Sequence, residues 1–333
     1  MPQVGLEQID YAFVAVYAVA LLALAAWVSL RNRQSERDTA DYFLAGRALP
    51  WWAIGTSLIA ANISAEQVIG MSGSGYAIGL AIASYEWMSA ITLLIVAKYF
   101  LPIFIRQRID TMPQFLDRRY NASVRTVMAI FWLGVFTLIN LTSILWLGAL
   151  TIETVTGVDL LHAMLALAGF ALVYSVYGGL KAVALTDIVQ VVMLVLGGLL
   201  IAWITLDSVS GGRGPLSGFA TLVDTVPQRF NLILTPGDEG YEFLPGLSVL
   251  IGGLWVMNLS YWGFNQYIIQ RALGAVSIEE AQRGLLFAAF LKLLMPLLVV
   301  LPGIAAIVLL PDLERPDAAY PTLLAMAPAG ARG

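Results

Sequence analysis

The chain has 333 residues, 59% hydrophobic and only 12% charged, about half the charge fraction of a soluble domain; with a mean hydropathy of +0.81 it reads as an all-α integral membrane protein embedded in a lipid bilayer. Cysteine is absent and His162 is the only histidine, which excludes disulfides, thiolate metal sites and a histidine zinc centre, and leaves an enzyme without a nucleophile, metal or acid–base set. The formal charge of -4, with Lys and Arg scattered among acids, leaves no footprint for a nucleic-acid partner.

Windows of about 20 residues, the length that crosses a hydrocarbon core, give eight apolar segments. They lie near 10–30, 51–78, 80–105, 124–152, 160–178, 183–206, 245–268 and 285–310. The first follows Glu7 and Asp10 rather than a basic stretch and lacks a small-residue cleavage motif, so it is read as a retained span. With the loop behind it, it forms a unit of residues 1–48.

Residues 49–206 hold the next five segments, and the first of these is interrupted. From Asn62 to Trp87 the run NISAEQVIGMSGSGYAIGLAIASYEW sets polar residues and glycines into an apolar span; the interruption is placed at GMSGSG, residues 70–75. Irregular backbone survives at membrane depth only where it lines a cavity or ligand, which predicts a ligand site. His162, after Asp159, reads as interfacial and non-catalytic. Residues 207–243, rich in Gly, Pro and Asp, read as an extracellular loop with little secondary structure of its own, although loops this long often hold short helices.

Residues 244–311 hold two further segments, the first interrupted by NLSYWGFNQ at 258–266; residues 312–333 read as an extracellular tail. Interrupted helices at corresponding positions of two halves point to a transporter site at a repeat interface. Thirteen of the eighteen Lys and Arg residues fall in loops that are internal if the N-terminus is outside, which favours that orientation.

Several polar residues stand at membrane depth. An unpaired Glu86 or Lys292 costs about 2.5–3.5 kcal/mol there. Glu86 and Ser89 share a helix face; Gln67 and Met71 are four apart; Asn258, Tyr261, Trp262 and Asn265 form one polar aromatic stripe. Donors, acceptors and an aromatic plane together suit a neutral polyol. Three plainer readings stay open: the stripe as interhelical glue, a Glu86–Lys292 ion pair without a ligand, and the glycines as close packing. Asp187 reads equally well as an acid at a helix N-terminus after Thr186. The sequons at Asn62, Asn121 and Asn140 read as chance.

The stretches DYFLAGRALPWWAIGTSLIAANISAEQVIGMSGSGY, YEWMSA, YSVYGGLKA and NQYIIQRALGA resemble the sodium/solute symporter family, and within it the bacterial sodium/galactose symporters, from about Asp41 to Ala306. The resemblance implies a LeuT-type inverted-repeat fold with an extra N-terminal helix, in a multi-pass protein of the cell (inner) membrane. It implies alternating-access symport of a small-molecule sugar, galactose or glucose class, with sodium as the co-transported ion. Inositol, another polar solute or a non-transporting sensor is the alternative. Carried over, the sugar contacts are Gln67, Glu86, Ser89, Asn258 and Lys292. Tyr261 is an inner gate with Asn62 as polar neighbour and Trp262 and Asn265 beside it, and Met71 and Tyr85 belong to an outer apolar gate. Backbone carbonyls of Ala60 and Ile63 fall at a sodium site, oxygen donors fitting a hard cation, and Asp187 on its exit path. Family members continue past Gly333, so the second repeat reads as incomplete and the chain as a fragment, truncated product or half of a pair, for which coupled transport is not expected.

Overall fold

The computed structural model describes residues 7–31 and 47–328, without the side chains of 25–31 and 173–184; residues 41–46 of the first family stretch and the side chains of YSVYGGLKA lie outside that description. The described residues are helical with no strand, only an isolated bridge between Leu49 and Ala275. Helix α1 is Gln8–Arg31. Among the described residues, five stretches are long and apolar enough to cross a membrane: Glu66–Arg106, Ala122–Thr156, Leu185–Val209, Gly246–Phe264 and Ile278–Leu309.

Helix α2, Trp51–Asn62, ends where Ile63 turns to φ -81°, ψ 104°. The chain re-enters as a π-turn, Glu66–Gly70, and α3, Met71–Ile78. The break thus lies at Ile63–Ser64, and GMSGSG, where the sequence reading put it, is helical. Asn62 and Ser64 compete for backbone hydrogen bonds and Ile63 is β-branched, all three poor helix formers. Two of its three glycines serve close packing instead: a Cβ on Gly75 would lie 2.7 Å from the Val300 carbonyl oxygen, and one on Gly73 2.9 Å from that of Pro316.

Gly79, at φ 75°, ends α3. A Cβ there would meet the Arg229 carbonyl oxygen at 2.3 Å, so only glycine fits. A 3-10 turn, Gly79–Ala83, leads into α4, Ser84–Ile95, then a π-turn and α5, Leu101–Arg106. A straight helix would separate residues 67 and 86 by roughly 28 Å; their side chains are bonded, so the chain doubles back at Gly79.

Helices α6, Met112–Arg119, and α7, Ala122–Val135, are capped by Thr111 and Asn121. A π-turn at Phe136–Asn140 carries α7 into α8, Leu141–Thr156. Val127, Ile130 and Leu138 on this stretch are 65–75% exposed, an apolar face suited to lipid. Helix α9, Leu160–Val209, is capped by Asp159 and runs 50 residues without interruption, where the hydropathy reading separates spans at 178 and 183. No proline stands in the joint to stop the hydrogen-bond ladder. The loop beyond holds α10, Pro215–Thr225, and a 3-10 turn, Pro227–Phe230. Pro215 at the first turn and Gly214 before it start that helix.

The second interrupted helix runs through α11, Gly246–Ser248, a π-turn, α12, Leu254–Leu259, and a further π-turn, Ser260–Phe264. It breaks at Asn265, φ -78°, ψ 124°, within the expected stretch, and resumes as α13, Gln266–Leu273. Then follow α14, Ile278–Leu298, α15, Val300–Leu309, and α16, Ala319–Met326.

Helix α14 lies along both α2 and α4, and α15 along α3. The main core gathers Ile54, Leu58, Leu93, Ile268 and Leu285 at these crossings, each fully buried aliphatic side chain contributing about 1.5–3 kcal/mol. The entry to α2 is tied to the entry to α14. Leu49 N–H donates to the Gly274 carbonyl at 3.1 Å, Val276 N–H to that of Leu49 at 3.3 Å, and Trp51 N–H to Glu280 Oε2 at 2.8 Å.

Candidate functional site

A cavity of about 690 Å³ opens between the two interrupted helices and the helix that follows each. Gln67 and Met71 reach it from beyond the first break, Glu86 and Ser89 from α4, Asn258, Tyr261 and Trp262 from the second interrupted helix, and Lys292 from α14. Helical spacing makes this possible: Glu86 and Ser89 lie three apart, Asn258, Tyr261 and Trp262 at i, i+3 and i+4.

The charged pair is direct. Lys292 Nζ donates to Glu86 Oε2 at 2.6 Å, with the side chains 1% and 4% exposed, and stands 5.3 Å over the Trp262 ring. Each charge compensates the other at a depth where either alone is costly. Gln67 Nε2 donates to the other carboxylate oxygen of Glu86, and lies 2.7 Å from Met71 Sδ. Ser89 Oγ lies 2.6 Å from Asn258 Oδ1 and 2.7 Å from the Tyr85 carbonyl, and Asn258 Nδ2 donates to the Leu254 carbonyl at 3.0 Å. The Tyr261 hydroxyl accepts from Asn62 Nδ2 at 3.0 Å and from the Tyr267 hydroxyl at 2.9 Å. Asn62 Oδ1 is buried with no partner among the described residues.

All five anticipated sugar contacts therefore line one cavity, as do Asn62, Met71, Tyr85, Tyr261 and Trp262. Asn265 does not. Its side chain accepts from Tyr267 N–H at 3.3 Å and caps α13, and it borders a separate, apolar cavity of about 600 Å³ beside Phe115, Trp132 and Phe264. The Ala60 carbonyl belongs to the last turn of α2, where acceptors lose their i+4 donors, and Ile63 is the residue that leaves the helix. Asp187 is 5% exposed and accepts from Ser57 Oγ at 2.5 Å; Arg271 Nε donates to the same hydroxyl at 3.2 Å. It stands mid-helix in α9, which sets aside its reading as an acid at a helix start.

Sequence reasoning missed ten residues of the lining, among them Glu66, Phe136, Asn140, Leu141, Ile144 and Tyr267. Tyr267 lies six residues from Tyr261, off helical spacing because a break intervenes. Phe136 to Ile144 sit in a span with no charge to draw notice; Asn140, read only as a sequon, was the available signal.

The pattern of the sodium:solute symporter family matches residues 42–329. A sodium/glucose cotransporter of Vibrio parahaemolyticus is 53% identical over 99% of this chain and 64% of its own length. The mouse sodium/myo-inositol cotransporter 2 is 32% identical over 100% of this chain and 53% of its own. The chain thus spans less than two thirds of the length of these relatives. A solved substrate-bound, outward-open Na+-coupled sialic acid symporter shares the fold at a TM-score of 0.83 and 23% identity, over 98% of this chain and 67% of that one. With the family pattern matched from the first interrupted helix through α16, the chain belongs to the sodium:solute symporter family.

Proposed function

We propose that these residues form the substrate half of a sodium-coupled symporter for a neutral sugar of the galactose or glucose class. The observation that carries this reading is the convergence of Gln67, Glu86, Ser89, Asn258 and Lys292 on one cavity beside the Tyr261 ring. These groups present carboxylate, amide, hydroxyl and ammonium functions to hydroxyls, while an aromatic face covers the apolar side of a pyranose. The names of two relatives, a glucose and a myo-inositol cotransporter, support a neutral polyol; myo-inositol is the second reading.

In this scheme sodium sits at the Ala60 and Ile63 carbonyls of the first break. It stabilises the outward-open arrangement and raises sugar affinity by a coupling of about 1–3 kcal/mol. Met71 and Tyr85 close the outer side. Tyr261, held by Asn62, with Trp262 beside it, opens the inner one, and Asp187 lies on the sodium path to the cytoplasm. The Lys and Arg distribution supports an outside N-terminus in a cell (inner) membrane.

The test is sodium-dependent uptake of labelled galactose, glucose and myo-inositol into proteoliposomes, by this chain and by a version extended to its relatives' length. Gln67→Ala and Tyr261→Ala are each expected to abolish accumulation while membrane insertion persists. Normal uptake by either variant would sink this assignment of the site.

A further inference from the structure

Among the described residues, three side chains of formal charge line the cavity. Glu86 and Lys292 neutralise one another at 2.6 Å. Glu66 has no such partner: its Oε1 accepts from Ser143 Oγ at 2.8 Å, and no ion pair involves it among the described residues. The cavity therefore carries a net charge of about -1, within walls that include Met71, Ile82, Phe136, Leu141, Ile144 and Met257. Four residues before Glu66, across the break, stands the one buried cavity-lining acceptor among the described residues with nothing to accept: Asn62 Oδ1, whose amide nitrogen is already committed to Tyr261.

We infer that Glu66 and Asn62 make this side of the cavity favour hydrogen-bond donors over anions, and that Glu66 is a specificity-determining residue that turns away acidic sugars. The inference rests on the sugar-symport reading and narrows it. A hydroxyl or ammonium brings the donor that both oxygens lack. A uronate carboxylate turned to this side brings only acceptors, leaves Asn62 Oδ1 without a donor from that group, and meets the like charge of the exposed Glu66, a repulsion that salt reduces. Lys292 offers it no ready counter-ion, being held by the Glu86 carboxylate and the Trp262 face.

The discriminating measurement is competition against labelled galactose by galacturonate, by galactosamine in its ammonium form and by unlabelled galactose, with the version extended to its relatives' length in proteoliposomes at fixed sodium and pH 7. With the native protein, galacturonate competes at least about tenfold more weakly than galactose, and galactosamine about as well as galactose. Glu66→Gln narrows the galacturonate penalty by about tenfold, and Glu66→Asp restores it. Equal competition by galacturonate and galactose in the native protein overturns the inference without any variant having to fold. So does a Glu66→Gln protein that binds galactose and keeps the native ratio. Failure of the unsubstituted extended version to take up galactose at all would overturn the underlying sugar reading instead, so the two failures are separable.

Discussion

The two interrupted helices look alike in outline and differ in how their breaks are finished. At Asn265 the side chain accepts from Tyr267 N–H, and the Asn265 carbonyl accepts from Ile268 and Ile269 N–H at 3.2 and 3.0 Å, so the new helix begins with its donors served. At Ile63–Ser64 no side chain caps the segment that follows; only the Ser64 carbonyl meets the Gln67 and Val68 amides, at 3.0 and 3.1 Å. The difference teaches where each break can serve. One starts its following helix on a side-chain cap. The other starts its following turn without one, and it is there that the reading above puts a cation.

The largest effect that tests this contrast lies in the contact joining the helices behind the two breaks. Replacing Lys292 with Ala strands Glu86 and is expected to lower stability by about 3–5 kcal/mol, read from unfolding in detergent. Pairing Lys292→Met with Glu86→Gln recovers most of the loss, and equal destabilisation by the pair and the single change would deny that the charges depend on one another. A middle-sized effect belongs to the caps: Asn265→Ala costs about 1 kcal/mol and Asn265→Asp much less, with faster hydrogen exchange at the amides of Tyr267 to Ile269. Ser64→Ala at the uncapped break is expected to leave exchange in the following turn unchanged. If the two alanine variants behave alike, the asymmetry is wrong.

The smallest effect is at an exposed cap used for comparison. Hydrogen bonds from the His162 side chain and backbone hold the Asp159 carboxyl below the usual carboxylate range. Because its folded value is the lower one, the stabilisation is present above the ordinary value of 3.8 and is lost as pH falls through the depressed one. Asp159→Asn keeps a capping oxygen and is expected to flatten that acid-side dependence of α9 fraying, followed by hydrogen exchange at Leu161 and His162.

Much of this was legible in the residues. Glu86 and Lys292 announced themselves by the cost of a charge at membrane depth, and Asn258 and Tyr261 by helical spacing. The second break was found because polar and aromatic residues cluster at it. The first was misplaced by a few residues because glycine marks both broken helices and tightly packed ones, and no local pattern separates the two; the distinction rests on Val300 and Pro316, more than 200 residues away. Asn265 was grouped with the gate because a capping asparagine and a site asparagine have the same spacing until the backbone turns. Glu66, next to Gln67 in the sequence, was passed over because its solitude is a fact about neighbours.

The ties among Leu49, Trp51, Gly274, Val276 and Glu280 place one clasp at the near ends of α2 and α14. Each break then acts as the far joint of a lever whose short arm is held by that clasp. Any tilt of α2 about Ile63 that keeps this clasp intact carries the α13–α14 corner with it, so the clasp couples the two breaks to one another.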